Sequence, residues 1–297
     1  MSKLCGYVAI VGLPNAGKST LLNALVGGKV AIVTPKAQTT RSRILGVVAE
    51  GDAQILFVDT PGIFHTAKQF ERAMVNAAWA GVADADAVLF IVDAAKEFSA
   101  ENEGVLTQLA KSGKPLYLAL NKIDLMKKDA LLAQVDGFKN KAEFAAIFFI
   151  SALKEDGVAD VKRTLAGAMP ESPWLYPAEQ MTDISERLLA AEITREALFM
   201  KLSQELPYSI HVETEGWEEK KDGSVRIEQV IYVEREGQKK IVLGKGGEML
   251  KSIGSMARAQ LKRVLGREAH LFLFVKVREG WKETPEAYQQ FGLEFKK

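Results

Sequence analysis

Eight residues near the start of the chain have the types and the spacing needed to bind phosphate: Gly12-Leu-Pro-Asn-Ala-Gly17-Lys18-Ser19. They match G-x-x-x-x-G-K-[ST], follow the apolar run "YVAIVG" and precede a helical pattern, which is the context that this motif requires. Glycines let consecutive backbone N–H groups close around phosphate oxygens, and the start of a helix adds donors and a favourable dipole. Lys18 is predicted to reach the β- and γ-phosphates of a nucleotide, and Ser19 to bind magnesium.

A second magnesium element is predicted at Asp59-Thr-Pro-Gly62, directly after the apolar run "QILFV". An isolated D-x-x-G is weak evidence, because turns often contain it. A D-x-x-G motif that follows a buried strand downstream of a phosphate loop is much stronger evidence for a magnesium element. Asp59 is expected to hold the ion through water, and the Gly62 amide to face the γ-phosphate.

The identity of the base is predicted by Asn121-Lys-Ile-Asp124, which follows "PLYLAL". A buried Asp124 carboxylate can accept hydrogen bonds from the ring N–H and the exocyclic amine of guanine, whereas adenine offers no such donor pair. Polar pairing of this kind can discriminate by roughly 10⁴–10⁵-fold, so the sequence predicts a preference for GTP over ATP. Asn121 is expected to brace the loops and the Lys122 stem to pack along the base. Ser151-Ala152, after "AIFFI", is expected to offer a backbone N–H to the guanine carbonyl.

These motifs all follow apolar runs that alternate with helical periodicity over the first half of the chain. The alternation predicts an α/β fold, with a mostly parallel sheet covered by helices. Ligands of such sheets bind outside the carboxyl ends of the strands, so the motifs should gather at one edge.

The second half has a different pattern. Three prolines in nine residues, "MPESPWLYP", predict a linker. The order after it is helix, strand, strand, helix, strand, which predicts a small α+β domain. The expected organisation is a nucleotide-binding domain over 1–170, a linker over 171–180 and a C-terminal domain over 181–297.

The C-terminal domain contains a second glycine-rich loop, Gly244-Lys245-Gly246-Gly247, in the most basic part of the chain. Residues 239–278 carry ten Lys and Arg against two Asp and Glu. This charge favours a polyanionic partner or, alternatively, forms a solvated face. The loop lacks the four-residue spacer and the following Ser or Thr of a nucleotide pocket. It resembles instead the G-x-x-G loop of KH domains, which clamps about four nucleotides of a single strand.

The KH resemblance covers about residues 203–280 and implies that Lys251 and Arg258, on the helix after the loop, also contact RNA. Met249, Leu250, Ile253 and Met256 are predicted to form the apolar face of this helix. A plain glycine turn before a helix is the alternative. Phe272 and Phe274 are interpreted as one buried face of a strand rather than as stacking platforms.

Composition limits the remaining possibilities. Cys5 is the only cysteine, so an intrachain disulfide is excluded, and His65, His211 and His270 are too far apart in sequence for a metal site. No apolar run approaches the roughly 18 residues needed to span a bilayer. A soluble, cytoplasmic protein is expected.

The nucleotide motifs together resemble the GTPase branch of P-loop proteins. The resemblance implies that Thr40 of Thr39-Thr40-Arg41 contacts magnesium in the GTP state, although an exposed polar loop is the alternative. The predicted catalytic residues are Lys18, Thr40 and Gly62. Ile63 stands where Ras-like enzymes place the glutamine that orients water, so slow hydrolysis is expected. Asn15 resembles the asparagine with which some GTPases hold potassium, or it stabilises the loop.

The pairing of these two halves resembles the Era family of bacterial GTPases essentially end to end. Beyond the nucleotide and KH motifs, the segments "PESPWLYP" and "VEREGQKKIVLGKGG" carry the resemblance. It implies a monomer that binds the 3′ region of 16S ribosomal RNA and assists assembly of the 30S subunit, with loose association to the inner face of the membrane. A GTPase acting on another RNA and a membrane-linked cell-cycle switch are the alternatives.

The predicted site residues form three sets. The GTP-binding set is Gly12, Leu13, Pro14, Asn15, Ala16, Gly17, Lys18, Ser19, Thr20, Asp59, Thr60, Pro61, Gly62, Ile63, Asn121, Lys122, Ile123, Asp124, Ser151 and Ala152. The magnesium set is Ser19, Thr40 and Asp59. The RNA-binding set is Gly244, Lys245, Gly246, Gly247, Lys251 and Arg258.

Overall fold

The computed structural model describes residues 3–36, 39–41, 43–64, 66–127, 131, 134, 135, 137, 138 and 140–295, so His65 lies outside the described residues. These residues form two compact units. Among the described residues, the first unit comprises 3–31, 39–183 and 288–295, and the second comprises Ile32–Lys36 and Ile184–Ala287. The predicted linker and the last described residues, 288–295, therefore belong to the first unit.

The first unit is a six-stranded sheet with helices on its faces. Its elements are β1 (Leu4–Val11), α1 (Lys18–Val26), β2 (Ile44–Glu50), β3 (Ala53–Asp59), α2 (Gln69–Asp84), β4 (Ala87–Asp93), α3 (Ala100–Ala110), β5 (Leu116–Asn121), β6 (Ala146–Ile150) and α4 (Val158–Ala166). The strand order is β2-β3-β1-β4-β5-β6, and every pairing is parallel except that of β2 with β3. The predicted mostly parallel sheet is confirmed.

Both faces of this sheet are buried, which explains why its strands have continuous apolar sequences rather than alternating ones. In β1, Val8 and Ile10 contribute to the hydrophobic cluster on one face, whereas Ala9 and Val11 contribute to the cluster on the other. All four side chains are inaccessible to solvent. The sheet is thus a rigid base for the loops at its carboxyl edge.

Gln54 fastens the segment after α4 to the edge of this sheet. Its side chain is fully buried in β3. The amide Nε2 donates to the Tyr176 carbonyl at 2.8 Å, and Oε1 accepts from the backbone N–H groups of Leu175 and Tyr176 at 2.9 and 3.0 Å. A buried amide that satisfies three backbone groups positions the proline-rich segment on the first unit.

Replacing Gln54 with Leu is expected to destabilise the protein by about 1–3 kcal/mol, because three partly buried backbone groups lose their partner while the side-chain volume is kept. Urea unfolding followed by circular dichroism measures the change. Gln108→Leu, on the exposed side of α3, is the control and should shift stability by no more than about 0.5 kcal/mol. Equal unfolding midpoints for the two variants would contradict the role of Gln54.

The second unit contains a three-stranded sheet with helices packed on one face. Its elements are α5 (Glu186–Lys201), β7 (His211–Glu219), β8 (Val225–Val233), α6 (Glu236–Leu243), α7 (Glu248–Leu265) and β9 (Ala269–Val277); a short helix, α8 (Pro285–Gln290), follows near the end of the described chain. The strand order is β7-β8-β9, with β7 antiparallel and β9 parallel to β8. Residues of α5 and α7, such as Ile193, Ile253 and Leu261, form the core with the inner face of the sheet.

The sequence analysis did not predict α6, and it predicted the wrong burial for two aromatic side chains. Helix α6 is only eight residues long and has Gly237 at its second position, so the sequence before the glycine loop has no clear helical pattern. Phe272 and Phe274 are 45% and 51% exposed, so the interpretation that they form a buried strand face was wrong. The residues of β9 that alternate with them, Leu271 and Leu273, face the core instead.

Among the described residues, none of the helices combines the length and the apolar composition that a membrane span requires.

Candidate nucleotide site and nucleic-acid interface

The phosphate loop connects β1 to α1 at the carboxyl edge of the first sheet. Gly17, directly before α1, has φ 105°, a conformation that side chains rarely adopt. A Cβ at this position would lie 2.2 Å from Asn121 Nδ2. The loop therefore requires glycine both for its backbone angle and for its contact with the loop after β5.

Lys18 is buried at the start of α1, with its charged end held inside the loop. The Nζ atom donates to the carbonyl oxygens of Gly12 and Leu13 at 3.1 and 3.0 Å. Burial lowers the pKa of Lys18 to about 8, and the nearby Asp59 carboxylate opposes the shift. A desolvated ammonium group in a loop of backbone donors is well suited to bind phosphate oxygens.

Three side-chain oxygens from different parts of the first unit converge near Lys18. Ser19 Oγ donates to Asp59 Oδ2 at 2.7 Å and lies 3.0 Å from Thr40 Oγ1, which is 3.4 Å from the same carboxylate oxygen. Burial raises the pKa of Asp59 to about 6, although Lys18, Ser19 and Thr40 each lower it.

The cluster fits a small hard cation. Asp59 Oδ1 is fully buried and has no hydrogen-bond partner among the described residues. A buried polar atom without a partner is costly, and a bound cation removes that cost. One carboxylate and two hydroxyls are the oxygen donors from which magnesium sites are built. The structure therefore brings the three predicted magnesium ligands together.

The segment after β3 contacts the phosphate loop through its backbone. The Ile63 N–H donates to the Gly12 carbonyl at 3.3 Å, and Thr60 Oγ1 donates to the Ile10 carbonyl at 2.9 Å. Gly62 is thus adjacent to the phosphate loop, as its predicted role requires. The Ile63 side chain is buried, so this position supplies no polar group to a water molecule.

Asn121 joins two loops at the carboxyl edge of the sheet. Its Nδ2 atom donates to the Ala16 carbonyl at 2.8 Å, and its Oδ1 atom accepts from the Ala152 N–H at 2.9 Å. Lys122 Nζ lies 2.6 Å from Asp93 Oδ2 and donates to the Asn15 carbonyl at 2.9 Å. These contacts place the phosphate loop beside the predicted base-reading residues.

Two details of the base-reading region differ from the prediction. Asp124 is exposed rather than buried, because it belongs to a single 3₁₀ turn, Ile123–Leu125, at the surface. The Ala152 N–H already donates to Asn121, and the Ser151 N–H donates to the Asp156 carbonyl at 3.0 Å. The contact of Ser151-Ala152 with guanine stays a prediction.

The second glycine-rich loop lies between α6 and α7 of the second unit. Gly244 ends α6 with φ 71°, and a Cβ there would lie 2.6 Å from the Met249 Cβ in the first turn of α7. Lys245 and Gly246 are exposed. The loop therefore projects its backbone and one ammonium group from a tight turn that only glycine permits.

A cationic face continues from this loop along α7. Lys251 and Arg258 are exposed and lie seven residues apart, so they share one side of the helix after two turns. Arg258 also donates through Nη1 to the Leu271 carbonyl at 3.3 Å, which fixes its stem against β9. Of the predicted RNA-binding residues, Lys245, Gly246, Lys251 and Arg258 are exposed, whereas Gly244 and Gly247 are partly buried.

Comparison with known proteins identifies the family. Residues 7–122 match a family model described as a 50S ribosome-binding GTPase, and residues 205–282 match the KH domain model. The GTPase Era of Afipia carboxidovorans is 53% identical over 293 residues, covering 99% of this chain and 95% of its own length. That of Rhizobium meliloti is 51% identical over 292 residues, covering 98% and 93%. The chain belongs to the Era family of GTPases.

Two solved Era structures extend the likeness to the whole fold. A single-substitution variant of Aquifex aeolicus Era bound to GDP and tetrafluoroaluminate has a TM-score of 0.92, is 40% identical and covers 97% of this chain and 99% of its own. Era in complex with MgGDPNP and nucleotides 1506–1542 of 16S ribosomal RNA has the same TM-score and identity and covers 98% and 99%. As an Era-family member, this chain is a GTPase with a KH domain.

Two polar residues of this Era-family chain were missed by the sequence analysis. Asp93 pairs with Lys122, and it ends "AVLFIVD" in the same way that Asp59 ends "QILFVD", which was a usable signal. Asn23 in α1 accepts through Oδ1 from the Val30 and Ala31 N–H groups, both at 2.9 Å. No sequence pattern predicted this role of Asn23, because a polar residue in a helical pattern normally faces solvent.

Proposed function

We propose that this GTPase uses its nucleotide state to control binding of the 3′ region of 16S ribosomal RNA and assists assembly and maturation of the 30S subunit. The observation that carries the proposal is the Era complex with MgGDPNP and nucleotides 1506–1542 of that RNA, which matches this chain along nearly its full length. The exposed glycine loop and the cations of α7 are suited to the same ligand class.

In the proposed nucleotide complex, Ser19 and Thr40 bind Mg²⁺ directly and Asp59 holds it through water. The ion supplies electrostatic stabilisation of the charge on the β- and γ-phosphates. Thr40 lies on the segment before β2, and its hydroxyl would distinguish GTP from GDP by contacting the ion when the γ-phosphate is present. The three oxygens already lie within hydrogen-bonding distance of one another, which supports this assignment.

Hydrolysis in this proposal relies on charge and positioning rather than on a side-chain base. Lys18 stabilises the developing charge on the transferred phosphoryl group, and the backbone N–H of Gly62 orients it. Ile63 cannot hold the attacking water, because its side chain is apolar and buried. The intrinsic rate is therefore expected to be slow.

The RNA assignment is tested by equilibrium binding of a short RNA from the 3′ end of 16S ribosomal RNA and a scrambled RNA, with the protein loaded with GDP or a non-hydrolysable GTP analogue. We expect tighter binding of the ribosomal sequence in the GTP form. The double variant Lys245→Asp, Gly246→Asp should lose this binding, because two carboxylates would face the RNA backbone.

The β7–β8 turn offers a matched control, Lys221→Asp with Gly223→Asp. Gly246 and Gly223 both have positive φ values, 60° and 82°, and a Cβ added at either position would meet no other atom within 4 Å. The two double variants therefore share the charge change and the backbone strain, and only the first should weaken RNA binding. Equal, weak binding of both RNAs in both nucleotide states would refute the ribosomal assignment.

Potassium is proposed as an additional cofactor through Asn15. This residue is exposed in the phosphate loop with a left-handed φ of 64°. Turnover is expected to be faster in KCl than in NaCl at equal ionic strength, and Asn15→Ala should remove the difference while retaining the sodium rate. Equal turnover of the wild type in the two salts would exclude this role.

A cytoplasmic location follows from the proposed ribosomal partner. Peripheral association with the inner face of the membrane and the monomeric state stay predictions from the family resemblance.

A further inference from the structure

The outer face of the second sheet carries a row of exposed side chains on its edge strand. His270, Phe272, Phe274 and Lys276 alternate along β9 with residues that face the core. Phe272 and Phe274 are about half exposed. We name these four residues the outer row. Single exposed apolar residues are common, but two neighbouring phenylalanines between basic residues form a defined aromatic surface.

The geometry of the outer row suits the bases of a single-stranded nucleic acid. Alternate residues of a strand are about 6.7 Å apart, so the two rings present separate faces along one line. Bases of an extended strand can stack on such rings regardless of sequence, because every base has a π-face. Neither phenylalanine side chain has a polar atom, so hydrogen-bond readout of the bases is not expected from the rings.

The cations beside the rings are paired with carboxylates of the same sheet, so the rings rather than free charge define this surface. The Arg226 guanidinium lies 4.9 Å from the centre of the Phe272 ring, and its Nε atom is buried without a hydrogen-bond partner among the described residues. Lys276 ends the row with its side chain 55% exposed. Arg226 pairs with Glu228 at 2.6 Å, and Glu228 is the register partner of Phe272 across β8 and β9; Lys276 pairs with Glu215 at 3.4 Å. Single-stranded RNA is inferred as the ligand from the connection of the row to the cations of α7, because stacking of bases on the rings needs no free charge.

The outer row is continuous with the glycine loop through α7. Arg258 of this helix donates to the Leu271 carbonyl, and Gly254 packs against Leu273, where a Cβ would lie 3.5 Å from the leucine Cδ1. Leu271 and Leu273 are the immediate neighbours of Phe272 and Phe274 in β9. Because β9 is the edge strand, a strand bound beside α7 needs only to cross this edge to reach the two rings.

We propose that the outer row is a second RNA subsite, a stacking platform for bases beyond the nucleotides clamped by the glycine loop. This inference rests on the proposed RNA-binding function and adds a subsite to it. The loop and the cations of α7 hold the backbone of the clamped nucleotides, whereas Phe272 and Phe274 stack on the bases that follow and add affinity without reading their sequence.

The test compares an RNA of four to five nucleotides, which fills the loop clamp alone, with RNAs extended by four nucleotides at either end. Wild-type protein should bind one of the extended RNAs more tightly than the short one. Phe272→Ala with Phe274→Ala should lose that gain, by about fivefold or more per ring, and should bind the short RNA unchanged. Because stacking releases no counterions, the dependence of log affinity on log salt should stay the same.

Two further variants separate stacking from a general apolar effect. Met200→Ala removes an equally exposed apolar side chain, 52% accessible, from α5 of the same unit and should change no affinity. Phe274→Trp replaces the phenyl ring with a larger aromatic ring and should retain the gain in affinity for the extended RNA. The extended RNA, but not the short one, should quench the fluorescence of the new tryptophan.

The outcomes distinguish the two proposals. If the short RNA binds but extension gives no gain, or if the double alanine variant keeps the gain, the platform is excluded and RNA binding by the loop stands. If the wild type binds neither RNA, both proposals fail. Loss of 30S-subunit binding with unchanged RNA binding would assign the outer row to a protein partner and overturn the platform.

Discussion

Replacing Asp124 with Asn is expected to lower the affinity for GDP and GTP by about 10²–10⁴-fold, because two hydrogen bonds to a carboxylate contribute about 1.5–3 kcal/mol each. The same variant should bind xanthosine nucleotides, since xanthine has a carbonyl in place of the exocyclic amine and the new amide can donate to it. Titration with fluorescent GDP and XDP analogues measures both changes. Because Asp124 is exposed, its substitution is expected to leave the fold intact.

Asp160→Asn is the matched control, because it removes one negative charge as Asp124→Asn does. Asp160 lies in α4 with its side chain 63% exposed, paired with Arg163 on the helix surface. An exposed pair of this kind contributes little to stability, so this variant should keep its preference for guanine nucleotides. If Asp124→Asn bound GDP as tightly as the wild type, or gained no xanthosine binding, the residue would not read the base.

Replacing Lys18 with Met is expected to lower kcat for GTP hydrolysis by at least about 10²–10³-fold. Methionine retains the length and the apolar stem of the side chain but has no charge to stabilise the phosphoryl group in transfer. Single-turnover release of phosphate at saturating nucleotide isolates this chemical step from the weaker nucleotide binding that is also expected.

Folding of the Lys18 variant needs its own measurement, because Lys18 donates to two loop carbonyls. A thermal melt within a few degrees of the wild type would show that the loop and α1 still form. Lys111→Met, exposed at the end of α3, makes the same change in net charge and should retain full turnover. A kcat for Lys18→Met within about threefold of the wild type would rule out the proposed role.

The nucleotide site could be predicted from the sequence because its chemistry depends on backbone groups and a few fixed side chains. Gly17, Lys18 and Asp59 occur at spacings typical of a phosphate loop after a parallel strand, and the structure places Gly17 and Lys18 at the start of α1 with the Lys18 ammonium near the Asp59 carboxylate. The glycine loop of the second unit had a similar signal, since Gly244 is required by its own positive φ and by the nearby helix.

The environment of individual side chains could not be predicted in this way. Asp93 and Gln54 act through partners 29 and 122 residues away, Lys122 and Tyr176, and no local pattern encodes such pairing. Asp124 was expected to be buried because of its predicted role in base recognition, but the burial of a side chain depends on the surrounding loops. These features are decided by long-range packing.

Strand β9 shows most clearly which features the sequence predicts and which depend on the tertiary structure. Its sequence, "HLFLFVKV", is apolar at both alternating sets of positions, so periodicity identifies a strand but cannot say which set faces the core. By itself the sequence determined the two kinds of phosphate-binding loop, the order of the elements around them except α6, and the family. Only the tertiary structure decided that Leu271 and Leu273 pack beneath α7 while Phe272 and Phe274 face solvent, because the helices of the second unit cover just one face of its sheet.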